Sequence, residues 1–262
     1  MVLALCGCEW KLSPNNNGKE GDAVAVERYD RIESLYLTTG DFSALQQLNT
    51  EYPMQTRALI EDVLKIGRVN DPEINSKFLQ FFQDITLQSL INEVEQQYAN
   101  MDDINKELNS SFRRLKKAIP GIDIPEVYTQ IGALDQSIVV GNDMVGISLD
   151  KYLGADYHLY LKYYPKSQRE QMVRSMIVPD CLVFYLLSLY PMPHGNGMSQ
   201  MECDVHIGKI MWVVNRLVDR HVFKGEYVSL VAKYMKRHKN GTIAWLLNND
   251  NCKDIAALAD GK

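Results

Sequence analysis

Three aspartates stand at boundaries in the chain: Asp143 in Gly141-Asn142-Asp143, Asp150 after Ser148-Leu149, and Asp180 after Ile177-Val178-Pro179. Carboxylates that meet in pairs can pass protons to and from a substrate as general acid and base. Each of the three also has a structural use. Asp143 sits in a turn, Asp150 can cap Lys151-Tyr152-Leu153, and Asp180 can cap a helix restarting after Pro179. Those uses account for all three, so no residue is assigned a catalytic role. With Tyr128, on a β-rich stretch, the three aspartates mark a binding groove beside a small sheet.

Metal chemistry has less support. There is no H-E-x-x-H, no G-x-S-x-G and no phosphate-binding glycine loop. Asp204 and His206 are two residues apart, as are Asp219 and His221, so each pair leaves a helix on different sides. No C-x-x-C occurs among Cys6, Cys8, Cys181, Cys203 and Cys252. No metal site and no cofactor are expected. Tyr157, Tyr160, Tyr163 and Tyr164, around Asp156 and His158, form an aromatic stretch that suits core packing better than a binding surface.

The chemistry-bearing residue with the clearest context is Cys8. Leu5-Cys6-Gly7-Cys8 ends a short apolar run and resembles the bacterial lipobox, whose last cysteine takes the lipid. Residues 1–8 therefore read as the end of a secretion signal whose start lies upstream. Residues 9–25, with Ser13-Pro14-Asn15-Asn16-Asn17-Gly18, read as a polar tether. Acyl chains on Cys8 would hold the chain on a membrane. No later segment has about 20 uninterrupted apolar residues, as a membrane-crossing helix needs.

The elements that position these residues follow from periodicity. With 46% hydrophobic and 23% charged residues, 262 residues can bury a full core. A net charge of −5 argues against a nucleic-acid partner, and the cluster Lys233, Lys236, Arg237, His238 and Lys239 reads as a solvated helix end. Residues 25–118 are helical in pattern. Asp41 caps one helix, Pro53 opens the next, and Asp71-Pro72 starts a helix with the stripe Phe78, Phe81, Phe82 and Ile85. Two more helices cover 87–99 and 101–118. Residues 124–149 change to strands, with a hairpin turning at Gly141-Asn142-Asp143. Helices resume at 168, with a nearly wholly apolar one at 182–189, a loop from Pro191, an amphipathic helix over 201–218, and two more over 227–237 and 242–247. The fold class is α+β: a predominantly helical single domain over 26–262 with a small antiparallel or mixed sheet around 124–149.

Three patches carry a family resemblance: Val140-Gly141-Asn142-Asp143 through Gly146-Ile147-Ser148-Leu149-Asp150-Lys151-Tyr152-Leu153-Gly154, then Tyr163-Tyr164-Pro165 with Ile177-Val178-Pro179-Asp180, and Ile207-Gly208-Lys209-Ile210. They resemble the GldB family, the gliding-motility-associated lipoproteins of the Bacteroidetes, from about Val26 to near Trp245. That resemblance implies a non-enzymatic accessory protein, lipid-anchored in the cell envelope on the periplasmic side of the outer membrane. It would support a gliding or secretion assembly, with an envelope protein as partner. In outline the family also looks like a helical zinc-metallopeptidase domain that has lost its zinc ligands, since Val178-Pro179-Asp180-Cys181-Leu182 stands where H-E-x-x-H would be. The alternative is a peptidase-like or peptidoglycan-acting hydrolase of the envelope, using the three aspartates.

Overall fold

The computed structural model describes residues 25–192 and 198–259. The first half is a run of helices: α1 (Tyr29–Thr39), α2 (Phe42–Thr50), α3 (Pro53–Arg57), α4 (Ile74–Phe81), α5 (Ile85–Gln97) and α6 (Asp102–Ala118). Their ends are written in short polar side chains. Asp41 accepts from Ala44 N and opens α2, and Asp84 accepts from Thr86 N and Leu87 N to open α5. Gly40 closes α1 at φ 69°, where its N–H reaches back to Tyr36 O. Between α3 and α4 the chain winds through a π-helical turn, Ala58–Val63, that buries Leu59, Ile60 and Val63.

Strands β1 (Glu126–Gln130), β2 (Ile138–Gly141) and β3 (Met144–Ser148) form a mixed sheet in the order β1-β3-β2. β3 pairs parallel to β1 and antiparallel to β2. The β2–β3 hairpin turns at Asn142 and Asp143, and Asp143 takes the left-handed conformation (φ 58°) that aspartate tolerates better than most residues. Glu27 covers the outer edge of β1, donating to Val127 O (2.8 Å) and accepting from Thr129 N (2.9 Å). β2 is the other edge. Gly146 lies opposite Tyr128, and a Cβ there would sit 2.5 Å from the tyrosine ring, so the absent side chain lets Tyr128 lie across β3.

The second half wraps this sheet. After a 3₁₀ turn, Leu149–Lys151, come α7 (His158–Tyr163), α8 (Lys166–Arg169), α9 (Ile177–Leu189), α10 (Gln200–Leu217), α11 (Glu226–Arg237), α12 (Ile243–Asn248) and α13 (Cys252–Ala256). α9 packs against β2 and β3, and against α6 and α10 on its other sides, which explains a helix apolar almost all round. α10 starts with a capping box in which Ser199 and Glu202 satisfy each other's backbone N–H. The whole is a predominantly helical α+β fold with one continuous core.

Several expectations shift in detail. α4 begins at Ile74, two residues beyond Pro72, because Asp71 closes a turn on Glu73 N and pairs with Lys77 instead of capping the helix. The stripe Phe78, Phe81, Phe82, Ile85 is split. Phe78 and Phe82 are buried, whereas Phe81 and Ile85 are exposed, because the Asp84 cap ends one helix and re-aims the next. Pro179 interrupts nothing. It sits in the first turn of α9, where its missing N–H would have had no partner. The tyrosine stretch folds as α7, with Tyr160 wholly buried and Tyr163 exposed. The lipobox with Cys8, residues 9–24, and His194 within 193–197 lie outside the described residues.

Candidate functional site

The most constrained part of the chain is the connection from β1 to β2. Ala133 (φ 51°) and Leu134 (φ 65°) are consecutive non-glycine residues in the left-handed region, a strained arrangement that survives only when its surroundings enforce it. Asp150 is the main enforcer. Fully buried below the loop, it accepts from Gly132 N (2.7 Å) and Leu134 N (2.6 Å). Glu33, reaching from α1, accepts from Ile131 N (2.9 Å). Lys151 Nζ donates to Leu134 O (3.1 Å), Asp135 O (3.4 Å) and Tyr164 Oη (3.1 Å), and Tyr164 itself donates to Leu134 O (2.9 Å). Tyr160 adds a hydrogen bond to Asp150 O and takes one from Leu153 N.

Burial dominates the electrostatics. It pushes the Glu33 carboxyl well above the usual range, with Asp30 and Asp150 adding to the effect and the Ile131 N–H opposing it. It raises Asp150 as well, against the Gly132 and Leu134 amides. Asp30, also buried, is held by a two-pronged Arg28 pair (2.8 and 2.7 Å) and by the Thr129 hydroxyl.

The far side of this loop is one wall of a cleft enclosing about 450 Å³. Asp135, Gln136, Ser137 and Ile138 form that wall, Lys151 and Tyr152 part of the floor, and Gln168, Gln171 and Met172 the opposite lip. Asp180 and Phe184, one turn apart on α9, close the end. Tyr152, almost fully buried, donates from Oη to Asp180 Oδ2 at 2.9 Å. Burial lifts the Asp180 carboxyl to about 6, and the Tyr152 hydroxyl pulls the other way. Asp180 therefore takes up a proton in the mildly acidic range, well above an ordinary aspartate, and its second oxygen is not held by the backbone as Asp150's is.

The four groove residues do not share one groove. Asp180 lines the cleft. Asp150 is next to it in the fold but faces the underside of the 131–134 loop, so it caps no helix and does not line this cleft. Asp143 is at the opposite end of β3, about 16 Å away along a five-residue strand. Tyr128 is buried beside Gly146 and Tyr29, with its ring edge-on to Tyr29. Sequence reading missed Glu33, Tyr152, Gln168 and Gln171. Glu33 left one trace: it stands between Tyr29 and Leu37 at i, i+4 spacing, all three fully buried, a carboxylate on an apolar face. The glutamines left none.

Among the described residues, no three His, Cys, Asp or Glu side chains are grouped to hold a metal ion. No described helix is long and apolar enough to cross a membrane. No curated protein and no solved structure matches the chain. The family model for gliding motility protein GldB matches residues 12–222, which take in the sheet, the pinned loop, the cleft and all but the last helices. With far more than half its length matched, the chain belongs to the gliding motility protein GldB family.

Proposed function

We propose that this chain is an accessory component of an envelope assembly, anchored at Cys8 by lipid on the periplasmic face of the outer membrane and acting by binding. Family membership supports the envelope setting. The binding role rests on one observation: Asp150 with both carboxyl oxygens and Glu33 with Oε2 accept from backbone N–H groups of 131–134, while Glu33 Oε1 is buried without a hydrogen bond among the described residues. They hold the shape of a wall and do not face a substrate. The partner surface is the outer edge of β2. Ser148 N donates to Ser137 O (2.9 Å), so by alternation Ile138 and Val140 turn their N–H and C=O groups away from β3, toward a strand supplied by an envelope protein. The metallopeptidase outline then stands for a scaffold kept for binding, which stoichiometric zinc in the purified protein would contradict.

The test is complementation in a gliding bacterium that lacks its own GldB. The wild-type chain, behind a complete secretion leader, restores colony spreading. Cys8→Ala does not. Val140→Pro removes only an outward N–H and leaves folded protein with impaired spreading. Full rescue by Cys8→Ala would end the anchored reading.

One observation favours a second reading. Asp180, at the end of a cleft with a carboxyl lifted to about 6, has the properties of a general acid in a peptide- or glycan-hydrolysing site. Turnover of a peptidoglycan fragment that Asp180→Asn abolishes, with folding intact, would establish it.

A further inference from the structure

The cleft beside β2 is chemically particular. Its roughly 450 Å³ falls within the range of small-molecule sites. The polar groups around it are mostly neutral and two-sided. Gln168 and Gln171 stand exposed on one lip with side-chain amides that make no hydrogen bond among the described residues. Gln136 faces them from the strained loop, its amide nitrogen 3.4 Å from Asp62 O and its amide oxygen left over. Asp180 adds a second carboxyl oxygen, and the Ser137 hydroxyl, already bonded to Tyr152, adds an acceptor. An amide offers two donors and an acceptor in one plane, the complement of a pair of neighbouring hydroxyls.

Other ligand classes fit less well. Lys151 is the sole cation among the described lining residues, and its ammonium is engaged by two loop carbonyls and Tyr164, so no free positive charge awaits a phosphate or carboxylate. A wholly apolar ligand would strand the amides and Asp180 without partners. A lone cationic group would pair with Asp180 or with Asp135 on the facing wall but leave the glutamines and most of the volume unused. Phe184 supplies the remaining element. It lines the cleft from α9, 43% exposed, and presents an aromatic ring to which a flat C–H face can pack. The strained, four-way-pinned loop keeps the Asp135–Ile138 wall in place before any ligand arrives, which lowers the ordering cost of binding.

We propose that this cleft is a saccharide-binding site that takes a short neutral oligosaccharide, with Gln136, Gln168, Gln171 and Asp180 bonding hydroxyl or acetamido groups and Phe184 packing on a ring face. The site meets the outer edge of β2 at Ile138 but takes its bonds from side chains and not from that strand's backbone, and it does not depend on the lipid at Cys8.

Met172, buried beneath the glutamines of the lip and lining the cleft, provides the reporter. The full chain, labelled with ¹³C-methyl methionine, is titrated by NMR with N,N′-diacetylchitobiose, cellobiose and maltose, and in parallel with arginine amide and a capped neutral tetrapeptide. A disaccharide is expected to shift the Met172 methyl saturably. Gln171→Ala and Phe184→Ala, both at exposed positions, should each weaken that binding about tenfold or more. Three results would overturn the proposal: no disaccharide moving Met172 through the millimolar range, movement by arginine amide or the tetrapeptide alone, or a disaccharide shift that neither substitution alters.

Discussion

Asp150 and Asp180 lie on two sides of one wall and are employed differently. Asp150 is fully buried and both its oxygens accept from backbone N–H groups of a strained loop. Asp180 is half-buried and has a single side-chain donor, Tyr152, with the cleft in front of it. Burial raises both carboxyls, so a perturbed acid alone does not identify a site here. What separates them is the partner: backbone amides occupy both Asp150 oxygens, while Asp180 has one hydroxyl partner and lines a cleft. Lys151 and Tyr152, adjacent in sequence, divide in the same way, one turned to the loop carbonyls and one to Asp180.

The largest effect should come from Asp150→Ala, which strands two buried N–H groups under a strained loop. At about 1–3 kcal/mol for each unsatisfied donor, a loss near 4 kcal/mol is expected in denaturant unfolding. A loss under about 1 kcal/mol would erase the contrast between the two acids. Asp180 should instead show itself through pH. Its folded carboxyl, at about 6, lies above its ordinary value of 3.8, so in that window the folded chain holds more protons than the unfolded one. Its contribution therefore falls as pH rises from about 4 to about 6 and then levels off. Relative to Asp180→Asn, the wild type should lose up to about 3 kcal/mol across that window, measured by unfolding at several pH values. A flat difference would mean that Asp180 is not desolvated.

Away from both acids, Gly208→Ala should cost about 1–2 kcal/mol. Its Cβ would lie 2.8 Å from Tyr227 Cβ and 3.1 Å from that residue's carbonyl carbon, pushing α10 from α11 despite alanine's better helix propensity. Thermal melting reads this directly, and an unchanged midpoint would show that the helix pair has slack. The smallest effect belongs to Gln171→Ala. Exposed and without a side-chain partner among the described residues, it should stay within about 0.5 kcal/mol of wild type. A larger loss would move the lip glutamines to the structural side of the comparison.

Local signals in the sequence carried most of the fold. Asp41 marks a real helix start, and Asn142-Asp143 turns a real hairpin. Where local signals competed, the split stripe at Phe81 and Ile85 shows the outcome: a good cap at Asp84 outweighed apolar spacing. The site was far less legible. Its pins join residues distant in sequence, 98 positions apart for Glu33 and Ile131, and no periodicity reports such a pairing. Even the parallel partnership of β1 with β3 skips the nearer strand β2. Asp143, Asp150 and Asp180 look alike as boundary aspartates, and only the folded chain separates a turn, a loop anchor and a cleft acid.

The claim that the chain works from a membrane anchor at Cys8 is tested most directly by growing cells that express it, behind a complete secretion leader, on a radiolabelled fatty acid. The wild-type protein should carry the label and Cys8→Ala should carry none. An unlabelled wild type, or label retained in Cys8→Ala, would contradict the account.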